Sequence, residues 1–521
     1  MPDEIPPDIL TLHAAANPEK PALVVDRAGG SVQQWNYAEL DRDTNRLANA
    51  LLSLGVKARD KVIWCGMNSA PVVRMTHAAR KIGATAVPLN YRLSPEEAAY
   101  VTDNSDSVLV FADAEFAGTF EKIRAEIPKV RQVLIFGGEA RPGMLAAEEL
   151  EAAASDEAPT RESAGESATM IYTSGTTGKP KGAVRRGMGD PDQLRAMLEL
   201  IGYQPDDVYL TTGPLYHSGP GGFMGIAYAL GNTVVVQRKF DPEDWLRLTQ
   251  KYRVTSTFSA PTPIRMVCNL PDEVKRRYDT SSMRIMIANA APWSFALKQA
   301  YLADFPPESL WEVYGSTEGG VNTILSPQDQ LRKPGSCGLP SPGCEIALFS
   351  EDGERIAEPN TAGELYVRSK TVFSTYYRAE EKYQEGLRGD YFSVGDVAYF
   401  DEEGYYYICD RKGDMIISGG MNIYPAEIEA ALELHDDIAD VAVFGIPNEQ
   451  WGESVHALVV VHPGRTLGRD EIMDFARSRL AGYKIPRSVD FTEEIPRTGS
   501  GKILKRVLRE PYWRGHESKV L

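Results

Sequence analysis

Up to about residue 400, short β-branched runs such as KVIWCG (61–66), SVLVFA (107–112) and RQVLIFG (131–137) alternate with helical patterns such as YAELDRDTNRLANALLSL (37–54). Strands separated by helix-length segments cannot close as tight hairpins. They pair in parallel, with helices packed over the sheet faces. The predicted class is therefore α/β with parallel-rich sheets. Residues 137–167, rich in Ala, Glu and Gly, read as a surface helix and linker, and no fixed-period repeat suggests a solenoid. After GYYYICDRKGD (404–414) the pattern restarts on a smaller scale: a helix over 425–438, strands over 440–446 and 454–462, a helix over 469–480, then a basic tail. This predicts a large N-terminal domain, 1–409, and a small α+β C-terminal domain, 410–521, a division that 521 residues readily accommodate.

Charge and composition exclude several functions. A formal net charge of -17 repels polyanions, so nucleic acid is not an expected partner. The N-terminal MPDEIPPDIL carries acids where a secretory signal carries basic and apolar regions, and the apolar runs are strand-length, well short of the roughly 18 residues of a membrane span. The five cysteines, Cys65, Cys268, Cys337, Cys344 and Cys409, form no CxxC pair or His-linked metal spacing and read as small core residues. The expectation is a cytoplasmic protein without a transmembrane segment. A homodimer stays open.

The run IYTSGTTGKPKGAV (171–184) holds three glycines, four Ser or Thr hydroxyls and two lysines between two strand-like segments, ATMIYT and GAVRR. Gly175, Gly178 and Gly182 let successive amides turn inward, Thr173, Ser174, Thr176 and Thr177 add hydroxyl donors, and Lys179 and Lys181 add charge. That combination suits a polyphosphate. It is not G-x-x-x-x-G-K-[ST]: Gly175 and Gly178 enclose two residues, and Pro180 follows Lys179. A solvated hairpin tip is the competing reading of this loop alone.

Distant segments decide between them. VYGSTEGG (313–320), GDYFSVGDVA with Asp396, DRKGDMIISGGMNIYPAEIE with Arg411 and Lys412, and PRTGSGKILKR with Lys502 follow the loop in order. Together they resemble the signature of the adenylate-forming superfamily of acyl-CoA synthetases, adenylation domains and luciferases, across nearly the whole chain. Such enzymes activate a carboxylate as an acyl-adenylate, release pyrophosphate and let a thiol displace AMP. The main demand of the first step is charge stabilisation at positioned groups.

The resemblance implies roles residue by residue. Thr173 to Lys181 would cradle the β- and γ-phosphates of ATP, with Thr173 and Glu318 holding Mg2+ through oxygen. Asn289, Ala290 and Ala291, in the loop reaching Trp293, with Glu312, Val313, Tyr314, Gly315, Ser316 and Thr317, match the adenine side, and Asp396 and Arg411 match the ribose ligands. Lys502 matches the lysine that bridges carboxylate and α-phosphate. Gly419 and Gly420 would leave space for the pantetheine arm of CoA, with Tyr483 and Lys484 near its path. The small domain would be mobile about a hinge at Asp410, so that one cleft serves two half-reactions.

The acid is read from fewer residues. Amino-acid-activating relatives carry an aspartate in the segment matching PLYHSGPGGFMG, where this chain offers His217 and no acid. His217 matches the residue closing the acyl side of the pocket, beside Asn289 and Val313, which replace glycines of many aryl and fatty-acid ligases. WEVYGSTE is similar instead to the E-x-YG-x-TE form of very-long-chain, bile-acid and carnitine-type ligases. The expected substrate is a hydrophobic carboxylic acid, fatty, steroid-type or aryl. A ligase loading a carrier protein and a non-catalytic binding protein on the same fold are the alternatives.

Overall fold

The computed structural model describes residues 8–160, 168–173, 180–186, 189–291, 293–419, 421–498 and 501–514. Among these, two large sheets are each built around six parallel strands. In one, the parallel set is Leu145–Ala146, Gln132–Phe136, Ser107–Asp113, Lys61–Cys65, Thr85–Leu89 and Ala168–Thr173, and the antiparallel Lys181–Arg186 and Thr375–Tyr376 extend its edge. In the other, Pro21–Asp26, Thr233–Val236, Val208–Thr211, Ser256–Ser259, Ile285–Ala288 and Leu310–Ser316 are parallel. Antiparallel Val32–Asn36 lies at one edge, Gly320–Leu325 and Leu339–Pro340 at the other.

Side-chain alternation makes one core serve both sheets. Val62 and Trp64 of one sheet and Leu23 and Val25 of the other face a shared core with Leu47, Leu51, Val73, Phe223 and Tyr228. Their strand neighbours Ile63 and Cys65 turn to one outer core, and Val24 to another. Helices Tyr37–Ser53, Ala70–Lys81 and Ser218–Ala229 thus lie between the two sheets. Both faces of the parallel strands are buried, hence their continuous apolar runs. The first of these helices starts on a capping box in which Asn36 and Glu39 satisfy each other's amides.

The alternating pattern does not continue unbroken to residue 400. Strands drawn from residues 345–411, among them Glu345–Phe349, Gly363–Arg368, Asp396–Phe400 and Tyr406–Arg411 but not Thr375–Tyr376, form a third, antiparallel sheet. Tight turns such as Ser350–Gly353 and Asp401–Gly404 replace helical crossovers there. The small C-terminal unit pairs Ile438–Asn448 with Gly452–Val461, adds Ile416–Ser418, Met421–Ile423 and Ser488–Phe491, and covers them with Pro425–Leu432 and Arg469–Arg477. The expected first helix is shorter than 425–438. Strand Ser488–Phe491 was not foreseen, and the basic tail forms helix Lys505–Trp513. The five cysteines make no disulfide, and no described helix is long and apolar enough to cross a membrane.

Gly338 joins the second sheet to the third. Its carbonyl accepts the Tyr406 amide at 2.9 Å, its φ is +104°, and a Cβ there would lie 2.1 Å from the Ile324 carbonyl carbon. Neither the backbone angle nor the space suits another residue. Gly338→Ala is expected to lower the thermal transition by roughly 5 °C or more. An unchanged melting curve would contradict this account of the sheet junction.

Candidate active site

The sequence places its candidate residues in loops far apart along the chain, and the fold gathers them at the carboxyl ends of the parallel strands. Ala168–Thr173 leads into the glycine-rich loop, Val208–Thr211 toward His217, Ile285–Ala288 into Asn289, and Leu310–Ser316 into Glu318. A crevice at such strand ends is where α/β sheets ordinarily take ligands. Ser174, Gly175, Thr176, Thr177, Gly178 and Lys179 fall outside the described residues, as does Gly420.

The two ends of the glycine-rich loop are described. Thr173 pairs with Lys181 across the antiparallel ladder. The Thr173 hydroxyl donates to Glu318 Oε1 at 3.0 Å, and the Tyr376 hydroxyl donates to the same oxygen at 2.9 Å. Glu318 is 7% exposed, and neither bond uses Oε2. Burial pushes the Tyr376 phenol pKa up, so it stays a donor, and burial lowers that of Lys181, whose ammonium lies 5.6 Å from the Tyr376 ring centroid. Arg185, on the return strand, donates to the Thr317 carbonyl at 2.9 Å and also to the Thr371 carbonyl.

Register assembles a second cluster. Asp396 and Arg411 are fifteen positions apart yet lie directly opposite in the ladder of Asp396–Phe400 and Tyr406–Arg411. Arg411 Nε is 3.3 Å from Asp396 Oδ1, and the Tyr314 hydroxyl donates to Oδ2 at 2.6 Å. Burial acts to lower the Arg411 pKa, but the facing Asp396 and Tyr314 outweigh it and hold it above the ordinary value. Gly315 permits the adjacent turn: a Cβ there would sit 2.0 Å from the Gly320 carbonyl oxygen.

Lys502 comes to the same cleft from the small domain. It occupies a tight turn in which the Thr498 amide donates to its carbonyl at 2.7 Å and Gly501 adopts φ +88°. Arg497 steadies the turn, donating to the Gly501 carbonyl at 2.8 Å and to both Asp440 oxygens at 2.7 and 2.8 Å. Large-domain Arg265 lies 3.7 Å from the same Asp440. The Lys502 side chain is open to solvent across the cleft. The surrounding protein still strips enough water to lower its pKa, helped by Arg411 and opposed by Asp396 and Glu318.

On the opposite wall, His217 caps helix Ser218–Ala229, and its Nε2 is buried without a hydrogen-bond partner among the described residues. Gly222 and Gly225 of that helix have nothing within 4 Å of a would-be Cβ, so the helix leaves open space beside both. Asn289 donates through Nδ2 to the Val313 carbonyl, Val313 itself is 3% exposed, and Ala290 holds a left-handed φ of +72°. Glu312 faces away from the cleft and pairs with Lys298.

The remaining candidates do not join this cluster. Tyr483 is exposed on the small domain, Lys484 reaches Glu427 at 2.6 Å, and the Gly419 amide donates to the Trp451 carbonyl at 2.8 Å. Asp410 lies next to the end of strand Tyr406–Arg411, opposite Val397, and its carboxylate accepts the Ala426 amide at 3.1 Å. Arg185 and Tyr376 were missed by sequence reasoning. Two successive arginines in a strand were a usable signal for the first, since one must face inward; Tyr376 carried none.

Residues 10–377 match the AMP-binding enzyme family, and residues 427–502 match the AMP-binding enzyme C-terminal domain. The chain is 34% identical to a feruloyl-CoA synthase of an Amycolatopsis species, covering 94% of this chain and 96% of that protein. It is also 34% identical to an indoleacetate–CoA ligase of Aromatoleum aromaticum, covering 96% of each. The solved o-succinylbenzoate CoA synthetase of Bacillus subtilis, in complex with its acyl-adenylate intermediate, superposes with a TM-score of 0.82 at 29% identity, over 96% of this chain and 98% of that one.

Burial lowers the His217 pKa to about 4, and the charges of Lys502 and Arg92 push in the same direction. A depressed histidine pKa means the folded protein binds fewer protons than the unfolded chain between pH 6.5 and 4. His217 therefore adds nothing adverse above about 6.5 and weakens folding as pH falls toward 4. Histidine-selective NMR should show a His217 midpoint near 4 that rises in Lys502→Met. A midpoint near 6.5, or no response to that substitution, would contradict the placement of these two residues.

Proposed function

The chain belongs to the AMP-binding enzyme family, and from that premise we propose that it is an AMP-forming acid–thiol ligase that activates a hydrophobic carboxylic acid as its acyl-adenylate and passes it to CoA. The observation that carries this reading is the convergence of Lys502 with Asp396, Arg411 and Glu318, cation and acids from two domains in one cleft. A non-catalytic binding protein would have no use for it.

In the first step a carboxylate oxygen attacks the α-phosphorus, and the bond to the pyrophosphate oxygen breaks. Both reactants are anions, so the barrier is mostly charge repulsion and misalignment. Thr173 and Lys181 flank the loop assigned to the outer phosphates. Lys502 supplies its ammonium between the carboxylate and the α-phosphate. Asp396 accepts the ribose hydroxyls, held in place by Tyr314 and Arg411. The Asn289–Trp293 loop takes the adenine. Magnesium fits beside Thr173 and Glu318: a hydroxyl and a carboxylate are hard oxygen donors, and this ion ordinarily completes its shell with phosphate and water. Bound there, it would screen the triphosphate charge.

In the second step the CoA sulfur attacks the acyl carbon, AMP departs with the electron pair, and the thiol proton is released. The small domain, residues 410–521, would turn about Asp410 to bring Gly419, Gly420, Tyr483 and Lys484 toward the thiol path. Neutral His217 borders the acyl side, where it adds no positive charge to an apolar guest. The open space beside Gly222 and Gly225 admits bulk. Residues 212–225 contain no acid to pair with a substrate amine. Two aromatic-acid ligases among the relatives support the same class.

Pyrophosphate release measured over fatty, aryl and amino acids, with and without CoA, tests the reading. Hydrophobic monocarboxylates should turn over and free amino acids should not. Release that depends on ATP but never consumes CoA would transfer the second step to a carrier protein. Glu318→Ala is expected to abolish adenylation while the protein still folds; unchanged pyrophosphate release would remove Glu318 from the site.

Lys502→Ala separates the half-reactions. Losing a cation where charge accumulates should slow adenylation on the order of 10²- to 10³-fold. Thioester formation from pre-made acyl-adenylate and CoA should be largely preserved, because that step does not use the ammonium. Equal losses in both would refute the assignment of Lys502 to the first step alone.

A further inference from the structure

Asn68 follows strand Lys61–Cys65 of the first sheet and is 7% exposed, yet its side-chain hydrogen bonds run to the second sheet. Its Nδ2 donates to the Gly213 carbonyl at 2.9 Å and to the Gln237 carbonyl at 3.2 Å, and its Oδ1 accepts the Leu215 amide at 2.9 Å. Gly213 and Leu215 lie just beyond strand Val208–Thr211, and Gln237 directly follows Thr233–Val236. The carboxyl ends of three strands from two sheets thus meet on one buried side chain. A carboxamide supplies the two donors and the acceptor that these groups require. An aspartate there would turn a charge toward two carbonyls, and an apolar residue would leave all three groups without this partner.

The segment so held ends on His217. The His217 amide donates to the Pro214 carbonyl at 3.1 Å, which closes a turn over residues 214–217. The His217 carbonyl accepts the Gly221 amide at 3.0 Å, and a Cβ at Gly221 would lie 2.8 Å from the Leu215 carbonyl oxygen. Turn and helix start are therefore packed as one piece. The far side is pinned by the Ser218 and Thr317 hydroxyls, 2.8 Å apart. The Tyr216 ring stands edge-on to Tyr91, with centroids 5.4 Å apart, and 4.3 Å from the His217 ring. Since His217 Nε2 has no hydrogen-bond partner among the described residues, the imidazole takes its place from the turn that carries it.

We propose that Asn68 is a positioning residue for the acid: by tying the first sheet to the Gly213–His217 turn, it fixes where the His217 wall stands and so which acids fit. This rests on the assignment of His217 to the acyl side. Asn68 itself need not touch the substrate.

Asn68→Ala removes all three bonds, and Asn68→Asp keeps the acceptor for Leu215 while losing both donors. Arg238→Met is the control. It breaks a different clasp between the same two sheets, Arg238 with Asp113 at 3.1 Å and with Glu115 at 2.9 Å, whose bonds lie outside the turn. In both Asn68 variants the KM for cinnamate or octanoate, whichever the wild type uses faster, should rise about tenfold, with the KM for ATP within about twofold of wild type. In the nucleotide-free protein the His217 midpoint, read by histidine-selective NMR, should move up from about 4 toward 6.5 as the loosened turn lets water reach the ring. Arg238→Met should lower the melting temperature and move neither readout. Equal shifts in the control and the Asn68 variants overturn the proposal, as do an unchanged acid KM and midpoint in both Asn68 variants. If Asn68→Ala does not melt cooperatively, Asn68→Asp decides by the same readouts. If neither does, Asn68 holds the fold and not the turn, and the proposal falls. A wild type that activates neither acid would fault the assigned function, and the His217 midpoint would still judge the tie.

Discussion

All three sheets of the large domain meet at one turn, Ser316–Gly320, and the site exists because they do. The strand before it belongs to the second sheet. The Glu318 side chain receives Thr173 and Tyr376 from the first, and Tyr314, just before the turn, reaches Asp396 on the third. The Phe373 amide donates to the Glu318 carbonyl at 2.7 Å, which fixes the backbone as well as the side chain. Only Gly315 allows the two arms of this hairpin to pass so closely. Shift the turn, and the strand end at Thr173, the Glu318 carboxylate and the Asp396–Arg411 pair separate together.

The electrostatics follow from the same crowding. Burial acts to lower the pKa values of Lys181, Arg185, His217 and Lys502 around one cleft, and Arg411 rises because Asp396 and Tyr314 face it. Cations that have lost part of their hydration gain more from an arriving anion than they would in water. A neutral His217 beside them keeps one wall fit for an apolar group. Charge is thus concentrated where phosphate would lie and withheld where the acyl group would lie.

Much of this was legible in the sequence because strand and loop patterns are local. The parallel strands and the return strand after the glycine-rich loop follow from runs of a few residues. The third sheet did not follow: its short strands are joined by turns such as Asp401–Gly404, which carry weak periodicity. Nor could spacing alone place Asp396 against Arg411, since that depends on ladder register. Tyr376 reaches Glu318 only because a two-residue strand adds to the edge at Lys181–Arg186. Glu312 was legible as part of a motif, but its direction depends on which face of the strand the helix covers. Long-range pairing is what the sequence leaves implicit.

The contacts that seat Lys502 are of a kind that can be released. Arg265 approaches Glu433 at 3.5 Å and Asp440 at 3.7 Å and donates to the Ala439 carbonyl at 3.3 Å, while the Gly501 backbone rests near Thr262. These are partly exposed polar contacts, which contribute little each and exchange readily with water. The turn bearing Lys502 is held differently: Arg497 grips Asp440 through both oxygens within the small domain. Asp410 fastens the first small-domain helix through the Ala426 amide, and Arg411 beside it stays paired with Asp396. On the proposed hinge, a rotation at Asp410 would shed this weak set, and Lys412, whose amide donates to the Gly395 carbonyl at 2.8 Å and whose ammonium pairs with Glu364 at 3.2 Å, would remain with the large domain or exchange those contacts for water. The rotation would carry the Lys502 turn away intact and leave Asp396 and Glu318 where they are, as two successive chemistries in one cleft require.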